Sequence, residues 1–184
     1  RQTCRFFLLL TGCTLCTLTL NAEPGDPIIE RYKGLEKQGK LGEAAALCQN
    51  ALDIEVQRDR DPKKIFTYSF DLAYLYLNMG FYSKAFDPAK KSWEVSRSLI
   101  GSNAGMVIFG AMLYADVSGK LHQSNEAIRL YLDALQTADG LSNPAKDRYR
   151  TYLYFGLGEN FRLMKDYSQA KKCFIKCQDL ATNR

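Results

Sequence analysis

Four copies of one short sequence pattern run through the chain and limit it to a small set of architectures. Each copy has a turn, an apolar residue and an alanine, followed by two further small or apolar residues at helical spacing. The alanines fall at intervals of 41, 42 and 43 residues, as Ala44, Ala85, Ala127 and Ala170. A period of this size is typical of solenoids, in which one unit buries its apolar face by stacking on the next.

An amphipathic helix precedes each copy, because apolar residues recur there at spacings of three and four. Short connections make the two helices of a unit antiparallel. The predicted helices span roughly 27–38, 41–57, 63–79, 83–99, 103–117, 123–138, 145–164 and 167–182. They group into four units, at about 27–61, 62–101, 102–143 and 144–184. The predicted fold is all-α: a right-handed superhelical array of about four antiparallel helix pairs with a concave face.

Small residues are expected where two helices cross closely, with large aromatic side chains filling the gaps around them. The predicted small positions are Ala44, Ala73, Ala85, Ala127, Gly158 and Ala170, and the predicted fillers are Tyr76, Tyr82, Phe161, Tyr167 and Phe174. In the third unit, matching Gly119 to the turn glycines of the first two requires about three extra residues between Ser118 and Ser124.

These patterns resemble the tetratricopeptide repeat family over residues 27 to 182. The period of about 42 exceeds that family's usual length of about 34 and is similar to the long repeats of kinesin light chains, as is Pro88 early in a second helix. The resemblance implies a non-catalytic scaffold that binds another protein or peptide. The residues that carry it are Leu157, Gly158, Phe161, Tyr167, Ala170, Phe174 and Cys177 in the fourth unit, and Ala73, Tyr76, Gly80, Tyr82, Ala85 and Ala89 in the second.

The resemblance also implies a partner-binding groove lined by the first helix of each pair. The lysine and asparagines with which some family members hold a carboxylate-ended chaperone tail are not matched here, so a different ligand is expected. Phe70 and Tyr74 serve either partner contact or packing between repeats. The implied groove residues are Ile29, Lys33, Phe70, Tyr74, Leu77, Asn78, Glu159 and Arg162.

Residues 1–22 read as an export signal, with Arg1 and Arg5 before fifteen uncharged residues and cleavage after Ala22. This predicts a periplasmic or secreted repeat domain over residues 23–184. Leu10 to Cys13 also resembles a lipoprotein box, in which Cys13 would be lipidated and the protein anchored to a membrane. An uncleaved anchor is disfavoured, because the run is shorter than the roughly 20 residues that span a bilayer.

Composition and charge exclude several classes of protein. The chain has 184 residues, of which 46% are apolar and 24% charged, so it is too apolar to be disordered. Its formal net charge is +5, and without Arg1 and Arg5 the remaining body carries +3. That small charge, without an arginine-rich stripe, argues against nucleic acid as a partner. Basic residues near the end are expected to form a solvated face: Arg162, Lys165, Lys171, Lys172 and Lys176.

No pattern in the sequence predicts catalysis, a metal or a cofactor. The run from Gly34 to Leu41 approaches a phosphate-binding loop, but it falls on a predicted helix and its turn. The run from Gly156 to Phe161 begins like a dinucleotide fingerprint but is predicted to be a helix-packing site. His122, the only histidine, is predicted to lie in a turn. The cysteines after the signal are predicted core residues, with a disulfide or thiolate metal site between the last two as the alternative: Cys48, Cys173 and Cys177.

The end of the sequence suggests a second function. The last predicted helix still carries an apolar stripe, whereas arrays normally end in a polar capping helix. The repeats could therefore serve as the sensing module of a longer signalling protein or lipoprotein, or could pair with a second copy of the chain.

Overall fold

The computed structural model describes residues 26–58, 61–99, 103–142 and 145–182, and these residues form eight helices and no strand. The predicted export signal, with Cys13, lies outside them and stays a prediction. The helices are α1 (Pro27–Lys37), α2 (Leu41–Arg58), α3 (Pro62–Asn78), α4 (Tyr82–Ser98), α5 (Ala104–Lys120), α6 (Ser124–Asp139), α7 (Ala145–Leu163) and α8 (Tyr167–Thr182).

Local sequence signals fix several helix starts. Asp26 and Asp61 each precede a proline at the first helical position, and each carboxylate accepts from a backbone amide of the first turn, at 3.0 and 2.8 Å. Asn103 accepts from the amide of Met106 in the same way. These side chains satisfy amide donors that no helical carbonyl can reach.

The two helices of every pair are joined by a three-residue turn of one geometry. The central turn residue donates its amide to the carbonyl three residues back, and the next residue donates to the carbonyl five back, at 2.9 to 3.1 Å. This Schellman arrangement puts the central residue in the left-handed region. The central residues are Gly39 and Gly80, both at φ 76°, His122 at 62° and Lys165 at 63°.

The turn geometry corrects the predicted register of the third repeat. His122, not Gly119, is the counterpart of Gly80, and it precedes Ala127 by five residues just as Gly80 precedes Ala85. No extra residues are needed, so the predicted insertion between Ser118 and Ser124 is wrong. Gly119 instead lies buried in α5, where a Cβ would come within 2.8 Å of Asn160 Oδ1.

We expect replacement of His122 by glycine to stabilise the protein by about 0.5 to 1 kcal/mol. A residue with a Cβ costs about 1 to 2 kcal/mol in the left-handed region, and glycine removes this cost. Glycine also gives the unfolded chain more conformational freedom, which offsets part of the gain. Urea denaturation of His122→Gly should show the gain, and His122→Ala should show none, since alanine keeps the Cβ. Equal stability of the two variants would contradict the strain assigned to this turn.

The pairs stack into an α–α superhelix. Each second helix packs on the first helix of the next pair, and α5 also contacts both α3 and α7. The described parts of α2, α4, α6 and α8 make no such contacts with one another. Because α3, α5 and α7 touch in series whereas the second helices do not touch one another, the first helices lie on the concave side.

The core consists of two clusters that share α3. The smaller one joins α1 and α2 to one side of α3, through residues such as Tyr32, Cys48 and Leu72. The larger one runs from the other side of α3 to Cys173 in α8. Its centre is α5, where every residue from Met106 to Tyr114 is buried. None of the helices in the described ranges has the length and apolarity needed to cross a membrane.

The predicted close approaches of helices are confirmed, and Tyr76, Phe161 and Phe174 pack around them as predicted. All six predicted small positions are buried. A Cβ on Gly158 would lie 2.5 Å from the Phe174 ring, and one on Gly156 would lie 2.3 Å from the Tyr131 ring. Tyr167 is 65% exposed, so the prediction that it fills a core gap is wrong. It stands on the side of α8 that no other helix of the described residues covers.

Candidate binding surface

The four equivalent turns define which residues of the first helices share the concave side. Counting back from the central turn residue, positions 3, 6 and 10 fall on one helical stripe. We call the twelve residues of this stripe the inner face. They are Glu36, Lys33 and Ile29 in α1; Leu77, Tyr74 and Phe70 in α3; Gly119, Asp116 and Met112 in α5; and Arg162, Glu159 and Phe155 in α7.

A row of half-buried side chains runs along the middle of the inner face. It consists of Lys33, Tyr74, Asp116 and Glu159, one from each repeat. Leu77 beside this row is also half-buried, and Asn78 next to it is exposed. The row is therefore reachable by a ligand at every repeat, with a lysine at one end, an aromatic ring next and two carboxylates beyond.

The outermost position of the stripe serves packing. Ile29 is only 7% exposed and belongs to the smaller core cluster, so its predicted groove exposure is corrected to a core position. Phe70 is half-buried, with its ring centre 5.6 Å from that of Phe66 and 6.4 Å from that of Phe109. Phe109 lies in the next repeat, and its ring centre is 5.5 Å from that of Tyr149 in α7. Phe70 therefore belongs to a series of contacting aromatic rings that crosses three first helices.

Two half-buried carboxyl groups, those of Asp71 and Glu36, lie where the first two repeats meet. The Tyr32 hydroxyl donates a hydrogen bond to Asp71. Burial raises the pKa of Asp71, although the charge of Lys33 and the hydrogen bond oppose it. Burial and the nearby Asp71 raise the pKa of Glu36 as well. Lys33 thus lies among carboxyl groups that are partly withdrawn from water.

A similar arrangement occurs in the third repeat. The Tyr131 hydroxyl of α6 donates a hydrogen bond to Asp116 of α5. Burial raises the pKa of Asp116 to about 6, against the effects of that hydrogen bond and of the Lys120 charge. The sequence prediction missed Asp116, because Gly119 was matched to the turn. The spacing of five residues from turn to alanine, shared by all four repeats, is the signal that could have found it.

An ion pair lies at the end of the row, in the fourth repeat. The Glu159 carboxylate is 2.8 Å from an Arg162 guanidinium nitrogen on the next turn of α7. Arg162 is exposed, and exposed pairs of this kind contribute little to stability. Both groups thus stay accessible to a ligand.

The described residues assemble no evident catalytic centre. Within 26–58, 61–99, 103–142 and 145–182, no three side chains of His, Cys, Asp or Glu come together as a metal-ligand set. Cys48, Cys173 and Cys177 are free thiols, and burial raises the pKa of each. A raised pKa makes a thiol a poor nucleophile. Cys48 and Cys173 are buried as predicted, whereas Cys177 is half-buried.

Comparison with solved structures places the fold among repeat proteins. BtubC (BKLC) from P. vanneervenii matches with a TM-score of 0.74 and 16% identity, over 83% of this chain and 61% of that one. A kinesin-light-chain-like protein of Podosopora anserina with nearly identical TPR-like repeats gives 0.69 and 14%, over 90% and 80%. The MamA RS-1 double mutant gives 0.62 and 15%, over 85% and 75%.

These likenesses concern the fold. The sequence matches no protein-family model and no curated protein sequence. The chain spans about 61% of the length of BtubC. Repeat folds of this kind present an extended concave surface. The chain therefore has a fold similar to that of tetratricopeptide-repeat-like proteins, among them a kinesin-light-chain-like protein.

Proposed function

We propose that the protein is a non-catalytic scaffold that holds a segment of a partner protein on its inner face. The row of half-buried side chains from Lys33 to Glu159 is the observation that carries this proposal. One position of each repeat contributes to it, so an extended segment or a helix can contact all four pairs at once.

The chemistry of the row supports a protein ligand. Tyr74 and Leu77 offer partly exposed apolar surface in the second repeat. Charged groups lie on both sides of them, Lys33 toward α1 and the Glu159 and Arg162 pair toward α7. An aromatic and aliphatic centre between polar groups is the usual composition of a protein interface.

A site-specific crosslink tests the proposal. We expect a photoreactive benzoylphenylalanine at Leu77 to crosslink a partner protein in extracts of the protein's own cells, because Leu77 lies beside the row. The same residue placed at Leu132, which is 52% exposed on the outer surface of α6, is the matched control. Mass spectrometry of the adducts identifies the partner segment.

The comparison of the two sites decides the outcome. An adduct formed at Leu77 and not at Leu132, and reduced when Lys33→Glu is added, would support the inner face as the binding site. Equal labelling from both sites would indicate non-specific capture. A partner labelled from Leu132 alone would place the interface on the outer surface and overturn the proposal.

A further inference from the structure

The outer side of α8 differs from the same side of the other second helices. It carries Tyr167, Lys171, Phe174, Cys177, Gln178 and Ala181, which we call the terminal face. Large apolar side chains are exposed in the same repeat. Of the eight such residues exposed in the described ranges, four lie in the last repeat: Leu163, Met164, Tyr167 and Ile175.

The repeat geometry shows what this side does elsewhere. In α6 the residues equivalent to Phe174, Cys177, Gln178 and Ala181 are Tyr131, Ala134, Leu135 and Ala138, and all four are buried. α7 packs on this side of α6, where Tyr131 lies against Gly156 of α7. On α8, Phe174 and Cys177 are half-buried, and Gln178 and Ala181 are exposed. The terminal face thus continues an interface that the array uses three times, each time for one helix.

The charge of the terminal face distinguishes among helices that could occupy it. Lys171 stands where the other repeats have Ala45, Phe86 and Ile128, and it is exposed. No described residue forms an ion pair with Lys171. Together with Arg162 it borders a shallow groove of about 310 Å³ whose floor is Ala170 and Phe174. Symmetric pairing with a second copy would bring these cations together, which disfavours the chain itself as the occupant.

We propose that the terminal face binds one amphipathic helix of a partner protein, with its apolar stripe on Tyr167 and Phe174 and its flanking carboxylates at Lys171 and Arg162. The site borders the inner face at Arg162, which also pairs with Glu159. Its apolar contacts at Tyr167 and Phe174 lie outside the row between Lys33 and Glu159, and the proposal does not depend on the function of the inner face.

Three synthetic helical peptides of about 18 residues, long enough to form a helix, test the proposal on the full chain. The first has a leucine stripe flanked by glutamates, the second has the same stripe flanked by lysines, and the third keeps the glutamates with serines in the stripe. Fluorescence anisotropy of the labelled peptides gives their affinities. We expect the first to bind at least about tenfold more tightly than either of the others, which corresponds to about 1.4 kcal/mol.

Variants locate the binding and test the charge. Tyr167→Ser should lower the affinity for the glutamate-flanked peptide about tenfold. Leu132→Ser, which removes a similarly exposed apolar side chain, should leave that affinity unchanged. Lys171→Glu should reverse the preference in favour of the lysine-flanked peptide, a result that loss of folding cannot produce. Leu77→Ser should also bind normally, which separates this site from the inner face.

Three results would overturn the inference. The first is equal affinity for the two leucine-striped peptides, and the second is an unchanged preference in Lys171→Glu. The third comes from sedimentation: a dimer of the free chain that Tyr167→Ser dissociates would identify a second copy as the occupant.

Discussion

Gly156→Ala is expected to lower the free energy of unfolding by about 3 kcal/mol, the upper part of the range for overpacking a core. The new Cβ would lie 2.3 Å from Tyr131 Cζ and 2.5 Å from its hydroxyl oxygen. The ring cannot retreat freely, because it is buried and its hydroxyl is bound to Asp116. Urea denaturation followed by the fluorescence of Trp93, the single tryptophan, measures the loss.

Two further variants separate the effect of the clash on stability from the effect of replacing a glycine. Gly34 lies inside α1 with nothing within 4 Å of a Cβ, so Gly34→Ala should stabilise the protein by about 0.5 to 1 kcal/mol. In a Tyr131→Leu background, Gly156→Ala should cost much less than in the native chain. If the cost is the same in both backgrounds, the contact between Gly156 and Tyr131 does not set the spacing of α6 and α7.

Asp116→Asn is expected to stabilise the protein at pH 7.5 by about 3 kcal/mol, with no benefit below about pH 4. Asp116 has its pKa raised from 3.8 to about 6, and each unit corresponds to about 1.4 kcal/mol. Because the folded-state pKa is the higher one, the stability linked to this carboxyl group is fully present below 3.8. It is lost as pH rises through 6, because the half-buried carboxyl group is partly withdrawn from water and its charge is disfavoured there. Asparagine removes that cost and still accepts from Tyr131.

Denaturation curves at several pH values between 4 and 7.5 test this expectation. Asp179→Asn, at an exposed position of α8, serves as the control and should follow the native chain throughout. A gain from Asp116→Asn that is the same at all pH values would show that packing, and not ionisation, is responsible. A loss of stability at pH 7.5 would show that the carboxylate is compensated in the folded state by Lys120 and Tyr131.

The sequence predicts the eight helices well because each carries two independent signals, an apolar stripe and a turn. The prediction is least accurate at α5, expected over 103–117 and found over Ala104–Lys120. In α5 the glycine, Gly119, does not lie at the turn. Gly119 is needed for its small size beside Asn160, while His122 adopts the left-handed conformation that glycine takes in the first two repeats. The penalty for a non-glycine residue in such a turn is small enough for the rest of the fold to outweigh it.

The inner face was predicted only in part. The resemblance to the tetratricopeptide repeat family implied the groove positions in α3 and, without Phe155, those in α7. The positions in α5 were missing, because their register depends on the turn at His122. Ile29 could not be assigned from spacing, because α1 has only eleven residues and must bury Ile29 and Tyr32 to cover α2. The hydrogen bond between half-buried Asp116 and buried Tyr131 joins residues fifteen apart on two helices, a juxtaposition that no local pattern contains.

Because the core is divided at α3, we expect the array to unfold in more than one cooperative unit. We expect the first pair, which is held by the smaller cluster, to open while the larger cluster stays intact, as local units of repeat proteins do. A partner that contacts Lys33 on α1 and also Asp116 on α5 would couple the two units. Occupancy of the inner face would then be coupled to order at the amino-terminal end, and the affinity for a partner would depend on how often the first pair is open.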